Sequence, residues 1–117
     1  LEGEKEYFVV VKHRNHLAAM SSTGIGLSSS AAANYDYSTG LDKYFGAEAQ
    51  EIEPGVFALH AGDSDASGII NAADYFSVKP HIGFSGYAAA DVDMTTIVNA
   101  ADYFVIKANV GKTSNIP

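Results

Sequence analysis

A segment of this chain occurs twice, and the duplication constrains the fold more than any other feature of the sequence. Residues 63–83 read DSDASGIINAADYFSVKPHIG, and residues 91–111, 28 positions further on, read DVDMTTIVNAADYFVIKANVG. The hexapeptide NAADYF is identical in both copies. Repeats of such a period are typical of supersecondary units that bury their apolar faces against each other. The sequence therefore predicts two related loop-helix units that share one core.

Each repeat begins with acidic residues at alternate positions, a spacing that is typical of a calcium loop. Ca²⁺ binds roughly six to eight oxygen atoms, and a twelve-residue loop supplies them from positions 1, 3, 5, 7, 9 and 12. Position 7 contributes its backbone carbonyl, and the chain turns sharply at position 6. The predicted ligands of two Ca²⁺ ions are Asp63, Asp65, Ser67, Ile69, Asn71 and Asp74 in the first loop, and Asp91, Asp93, Thr95, Ile97, Asn99 and Asp102 in the second.

The structural alternative is that these aspartates only form solvated turns and cap helices. Two loops in tandem, each followed by the same helix start, favour the metal sites over this alternative. The side chains of Ile69 and Ile97 are expected to point inward and to join both loops to one core. Pro80 is expected to end or kink the first helix. Spacings of three and four predict one apolar stripe along the helices, which consists of Tyr75, Phe76, Val78, Ile82, Tyr103, Phe104, Ile106 and Val110.

The two loops differ at position 6, where the chain turns sharply. The first loop has Gly68 there, and glycine tolerates a positive φ angle. The second loop has Thr96, a β-branched residue for which that conformation is strained. The second calcium site is therefore expected to be the weaker one.

The first half of the chain has the composition of a β structure. Residues 6–20 are rich in aromatic and β-branched side chains, and a Pro54-Gly55 turn precedes a strand predicted at 56–60. The predicted fold class is α+β. A small antiparallel β-sheet or half-sandwich at residues 1–61 is followed by the duplicated loop-helix module at residues 62–117.

Composition excludes several classes of protein. The absence of cysteine excludes disulfide frameworks, thiolate zinc sites and cysteine nucleophiles. A net charge of -7 argues against a nucleic-acid partner, since phosphate binding needs clustered cations. No apolar run approaches the roughly 18 residues that a membrane span needs. Because the sequence begins at Leu1 rather than Met, we expect a processed or excised piece of a larger protein.

Catalytic signals are weak along the whole sequence. His13 and His16 form an H-x-x-H pair, but residues three apart on one strand face opposite sides, which disfavours a shared metal ion. His60 and His81 are single histidines in unrelated contexts. No nucleophile-base arrangement or phosphate-binding loop stands out. A non-catalytic protein is therefore expected.

The two loop segments, D-x-D-x-S-G-x-I-N-A-A-D and D-x-D-x-T-T-x-V-N-A-A-D, resemble the duplicated calcium-binding segments of dockerin domains. Those segments have the loop and exiting helix of an EF-hand without the entering helix. The upstream stretch YFVVVKHRNHLAAMSS and the closing GKTSNIP resemble C-terminal regions of large secreted proteins of Bacteroidetes-type bacteria, in which a small β segment precedes a dockerin-like pair.

The resemblance implies an extracellular or cell-surface module that is stabilised by two Ca²⁺ ions and attaches a larger polypeptide to a protein partner. The best-known dockerin partner is the cohesin β-sandwich, although this chain has alanines where dockerins often have hydroxyl residues. Small alanines and rigid tyrosines suit an interface, and the predicted partner-binding residues are Ala72, Ala73, Tyr75, Ala100, Ala101 and Tyr103. Packing of both tyrosines within the domain is the alternative.

Two other functions stay open at the level of the sequence. The chain is alternatively a self-assembling subunit of an extracellular fibre or surface layer, whose partner is a copy of itself. A third function is an accessory or carbohydrate-binding part of a secreted enzyme, which is disfavoured because the aromatic residues are mostly tyrosines within strands and helices. The size of the purified protein separates the first two functions.

Overall fold

A computed structural model describes residues 5–30 and 33–117 of the chain, so residues 1–4 and 31–32 of the predicted β region lie outside it. The fold is α+β, as predicted from the sequence. Within these described ranges, six short strands come before two α-helices. The strands are β1 (Glu6–Tyr7), β2 (Val10–His13), β3 (His16–Met20), β4 (Ile25–Gly26), β5 (Gln50–Glu53) and β6 (Val56–Ala58), and the helices are α1 (Ala72–Val78) and α2 (Ala100–Asn109).

The strands of the described residues form three separate two-stranded sheets rather than the single sheet or half-sandwich that the sequence predicted. β1 pairs with β4, β2 with β3, and β5 with β6. The β5-β6 pair turns at Pro54-Gly55, as predicted, and its register shifts between Glu51 and Glu53. The strands are two to five residues long, and two short 3₁₀ turns, Tyr37–Thr39 and Leu41–Lys43, lie between β4 and β5.

The chain divides into two compact units. The first contains the described residues up to Val11, Ala19–Ala58 and Asn115–Pro117. The second contains Lys12–Ala18 and Leu59–Ser114. It therefore includes the tip of the β2-β3 hairpin, which the sequence did not assign to the loop-helix module.

Tyrosines organise the first unit. Tyr44 is buried, and its ring lies 5.3 Å from that of Tyr37, which in turn contacts Tyr35 at 4.9 Å. The Tyr35 hydroxyl donates to the Lys43 carbonyl and the Tyr37 hydroxyl to the Val9 carbonyl. The bond from Tyr37 therefore ties the turn segment to Val9, between β1 and β2, and the bond from Tyr35 closes the turn segment on itself.

The second unit holds the main hydrophobic core, to which both repeats contribute. The two helices pack here, with Val78 of α1 and Ile106 of α2 fully buried. Pro80 lies in a 3₁₀ turn, Lys79–His81, directly after α1, which confirms that the first helix ends early. None of the helices in the described part of the chain is long and apolar enough to cross a bilayer. The buried core residues are Leu17, Ile70, Val78, Ala90, Val92, Val98 and Ile106.

Candidate metal centres

Each predicted loop leads into its helix through a capping box. The Asn71 side chain accepts a hydrogen bond from the Ala73 amide at 2.8 Å, and the Asp74 carboxylate accepts one from the Asn71 amide at 2.8 Å. Asn99 and Asp102 form the same two bonds at the start of α2. These bonds satisfy backbone amides that the first helical turn leaves unpaired. They also hold the carboxylates of Asp74 and Asp102, the last acidic residues of the loops, close to the loop backbone.

Three carboxylates converge in each loop. One oxygen from each of Asp63, Asp65 and Asp74 lies within 4.8 Å of the others, and Asp91, Asp93 and Asp102 form an equivalent cluster. The first and last aspartates of both clusters are buried, and the middle ones are more accessible. Buried carboxylates are rarely left without a compensating cation or hydrogen bonds. An oxygen-only donor set of this kind suits a hard divalent cation such as Ca²⁺.

The aspartate at position 1 organises the turn of each loop. Asp63 accepts hydrogen bonds from the Ser67 amide at 2.9 Å and from the Gly68 amide at 3.0 Å. In the second loop Asp91 accepts the corresponding bonds from Thr95 at 3.0 Å and Thr96 at 2.7 Å. The chain is therefore wrapped around the carboxylate, and the two loops have the same local structure.

The environment of the first cluster shifts the pKa values of its carboxyl groups in opposite directions. Burial raises the pKa of Asp63, and the carboxyls of Asp65 and Asp74 raise it further, against hydrogen bonds from Gly68 and Ser67. Partial desolvation also acts on Asp65, but hydrogen bonds from Ser67, together with those shared with the carboxyls of Asp63 and Asp74, lower the pKa of that carboxyl. The crowded negative charge is what a bound cation would stabilise.

The other predicted ligands lie on the same loops but already have partners. The Ser67 hydroxyl donates to the Ile69 carbonyl at 3.0 Å, and the Thr95 hydroxyl donates to the Ile97 carbonyl at 3.3 Å. The amide oxygens at position 9 accept the helix-capping bonds from Ala73 and Ala101. The converging groups are therefore the six carboxylates, and the hydroxyl, carbonyl and amide ligands stay predictions.

The expected orientation of the position 7 side chains is wrong. Ile69 is 45% exposed and Ile97 is 48% exposed, whereas the next residues, Ile70 and Val98, are fully buried. Successive residues of an extended segment point to opposite sides. Ile69 forms a short β-bridge with Thr113, and Ile97 forms one with Ser85. Because both segments are extended, the side chain at position 8 fills the core when the side chain at position 7 faces outward.

The predicted apolar stripe is also wrong in part. Tyr75, Val78, Tyr103 and Ile106 pack on the core, but Phe76 is 70% exposed and Phe104 is 67% exposed. Ile82 and Val110, which the stripe also included, are exposed because both follow the α-helices. Adjacent helix residues point about 100° apart around the helix axis, so with Tyr75 and Tyr103 packed on the core, Phe76 and Phe104 are turned away from it.

The predicted partner-binding residues divide into two groups. Tyr75 and Tyr103 stack on each other with ring centroids 5.5 Å apart, so the two tyrosines pack within the unit. The alanines at the helix starts, by contrast, are exposed. Phe76 and Phe104 lie one turn further along the same helices. The sequence could have indicated this pair, because each phenylalanine ends one of the two identical NAADYF segments. The exposed alanines are Ala72, Ala73, Ala100 and Ala101.

Sequence reasoning missed Asn15, a fully buried residue at the tip of the β2-β3 hairpin. Its side-chain amide donates to the Asp91 carbonyl at 2.8 Å, and its own carbonyl accepts from the Gly62 amide at 2.9 Å. Gly62 comes directly before the first loop and Asp91 begins the second. One side chain and its backbone therefore connect the beginnings of both loops.

The premise that His13 and His16 lie on one strand is wrong as well. A turn at Arg14 and Asn15 separates the two histidines, so His13 ends β2 and His16 begins β3. Residues that flank a hairpin turn face each other across the strands. Their Nδ1 atoms are 3.0 Å apart. The polar run KHRNH between two apolar segments was the available signal of a turn.

We predict that Thr96→Gly tightens calcium binding at the second loop. Thr96 has φ +75°, which confirms the expected left-handed conformation, and Gly68 has φ +85° at the equivalent position. A non-glycine residue in this region costs on the order of 1–2 kcal/mol, which corresponds to a roughly tenfold gain in affinity when the strain is removed. Calorimetric titration with CaCl₂ measures both sites. The reciprocal Gly68→Thr should weaken the first site, and affinities that respond to neither change would contradict the prediction.

Comparisons with known proteins assign neither a family nor a function to the chain. Protein-family models, curated proteins and solved structures were searched, and none of them matches the chain significantly.

Proposed function

We propose that this chain is a calcium-stabilised, non-catalytic module that attaches a larger extracellular polypeptide to a protein partner, in the manner of a dockerin. The observation that carries the proposal is the pair of equivalent carboxylate clusters, each of which lies directly before a capped helix. Two Ca²⁺ ions would neutralise four of the six negative charges. The ions would thereby hold the loops in the conformation that presents the helices.

The calcium sites are proposed to include all twelve loop residues predicted from the sequence. Asp63 and Asp91 would bind through carboxylate oxygens that the backbone amides of positions 5 and 6 already orient. Asp74 and Asp102 are fixed by their capping boxes. Preorganised oxygens reduce the cost of assembling a metal site. The clusters are therefore suited to a structural ion rather than to catalysis.

The exposed starts of α1 and α2 are the proposed partner surface. Each helix has two exposed alanines at its start and an exposed phenylalanine one turn later, and an exposed lysine follows three residues after the phenylalanine, directly after α1 and within α2. Small residues let a partner backbone approach closely, and exposed phenylalanines supply apolar area. Lys79 and Lys107 are cations on a chain with a net charge of -7. The surface therefore fits a protein whose apolar patch is flanked by acidic side chains.

We predict that Ala73→Arg combined with Ala101→Arg abolishes binding to that partner. Two bulky side chains in place of the alanines would sterically hold the partner backbone away from the helix starts, whereas the buried core and the acidic loops stay unchanged. The partner is first identified as the protein that the calcium-loaded chain retains from its native extracellular fraction and releases in EGTA. Its affinity for the chain and for the double variant is then measured with purified proteins by calorimetry.

A control variant with the same added charge is Ser29→Arg with Ala33→Arg, since both residues are exposed and lie far from the loops in sequence. We expect the control to bind the partner with the affinity of the unmodified chain. Calcium titrations should be the same for all three proteins. If the partner binds the Ala73 and Ala101 double variant as tightly as the control, the helix starts are not the interface.

Self-assembly into a fibre is the second candidate function, and exposed apolar residues at the N-terminal strands β1 and β2 favour it. Phe8, Val10 and Val11 are all exposed, at 55%, 40% and 38%. Short sheets with apolar side chains near an open edge are prone to pair with other copies. Sedimentation velocity at several protein concentrations separates the two functions, because an attachment module stays monomeric and a fibre subunit forms large polymers.

A further inference from the structure

The tip of the β2-β3 hairpin brings three metal-ligating atoms together. The Nδ1 atoms of His13 and His16 are 3.0 Å apart, and the amide oxygen of Asn15 lies 3.1 Å from the first and 2.7 Å from the second. The two imidazole rings are nearly perpendicular, with an interplanar angle of 88° and centroids 4.7 Å apart. The three donor atoms therefore all lie within 3.1 Å of one another.

The surroundings hold this triangle in place. Asn15 is fully buried, and its side-chain nitrogen and backbone carbonyl are fixed by the Asp91 carbonyl and the Gly62 amide. Its oxygen is therefore directed toward the histidines. The guanidinium of Arg14, which follows His13 in sequence, lies 4.1 Å from the centre of the Tyr87 ring and donates to the Ala88 carbonyl. These contacts hold the Arg14 side chain against residues 87 and 88.

We propose that His13, Asn15 and His16 bind one late first-row transition metal ion, of the Cu²⁺ or Ni²⁺ class, at the hairpin tip. Metal-imidazole bonds are roughly 2.0–2.1 Å long, so nitrogens 3.0 Å apart would subtend an angle of roughly 95° at the ion. Tetrahedral zinc needs a wider angle of roughly 109°. Angles near 90° with nitrogen and oxygen donors are those of tetragonal Cu²⁺ and Ni²⁺ sites, with water in the remaining positions.

The donor chemistry separates this site from the acidic loops. Imidazole nitrogens favour Cu²⁺ and Ni²⁺, whereas the loop carboxylates favour hard cations such as Ca²⁺. The two kinds of site should therefore bind different ions.

The test uses the full chain saturated with CaCl₂, so that the acidic loops are occupied. Titration with CuCl₂ at pH 7, followed by calorimetry and electron paramagnetic resonance, is expected to show one ion per chain with hyperfine coupling to two imidazoles. His13→Gln and His16→Gln should each weaken Cu²⁺ binding by about tenfold or more, because each removes one ligand. The matched control is His81→Gln, which changes an exposed histidine outside the hairpin and should bind Cu²⁺ as the unmodified chain does.

A measurement on the unmodified chain keeps the proposal testable even if a histidine variant fails to fold. Substoichiometric Cu²⁺ should broaden the ring signals of His13 and His16 in NMR spectra before those of His81. The proposal is overturned if His81 broadens first, if both hairpin variants keep the original affinity, or if the spectra show oxygen coordination only. The absence of binding at about 100 μM CuCl₂ would overturn it as well.

Discussion

Chelation of calcium with EGTA is expected to lower the melting temperature of the chain markedly. An ion that binds only the folded state at about one hundred times its dissociation constant adds about 2.7 kcal/mol, so two sites would add about 5 kcal/mol. This stabilisation is expected because six carboxylates are crowded into two clusters, and in each cluster one oxygen of every carboxylate lies within 4.8 Å of the others. Without cations their mutual repulsion opposes the compact loops, and four of the six are buried. Thermal melts in EGTA and in millimolar CaCl₂ provide the measurement.

Loop variants make the calcium test specific. Asp63→Asn with Asp91→Asn removes one charge from each cluster and should abolish most of the difference between the two melts. Asp42→Asn is the matched control, because Asp42 is an exposed carboxylate outside the loops, and it should keep the full difference. Identical melting temperatures in EGTA and CaCl₂ for the unmodified chain would show that the aspartates act only as turn and helix caps.

The duplication in the sequence predicted much of the second unit, because the relevant information is local. Alternating aspartates, an asparagine at the helix start and an aspartate three residues later are sufficient to specify the turn and the capping box. Pro80 likewise ends the first helix through its own ring, independent of tertiary contacts. The left-handed conformation of Thr96 followed from its place in the loop. Features that depend on neighbouring residues alone were therefore predictable.

Features that depend on distant contacts were not predictable in the same way. Ile69 and Ile70 are both apolar, and only the bridge from Ile69 to Thr113 determines which of the two faces the core. The same applies to Tyr75 and Phe76, since stacking against Tyr103 selects the tyrosine. In the first half, each strand is too short to show a clear alternation of apolar and polar residues. The sequence therefore predicted β structure but not its division into three small sheets.

Asn15 belongs to this second group, and replacing it is expected to have the other large effect on the protein. Asn15→Ala removes the donor to the Asp91 carbonyl and leaves that buried acceptor without its partner. Losses of this kind cost on the order of 1–3 kcal/mol for each unsatisfied group. Because the hairpin histidines lose their acceptor as well, we expect destabilisation of about 2–4 kcal/mol. Urea denaturation in CaCl₂ measures it, with the exposed Asn34→Ala as the matched control.

A second variant, Asn15→Asp, separates hydrogen bonding from packing at this position. Aspartate has the shape of asparagine, but it places an oxygen where the donor to the Asp91 carbonyl was. If hydrogen bonding is what matters, the aspartate variant should be at least as unstable as Asn15→Ala. Because Asp91 begins the second loop, both variants should also weaken calcium binding there more than at the first loop. Full stability of Asn15→Asp, or equal losses of affinity at both loops, would mean that Asn15 only fills space and does not position the second loop.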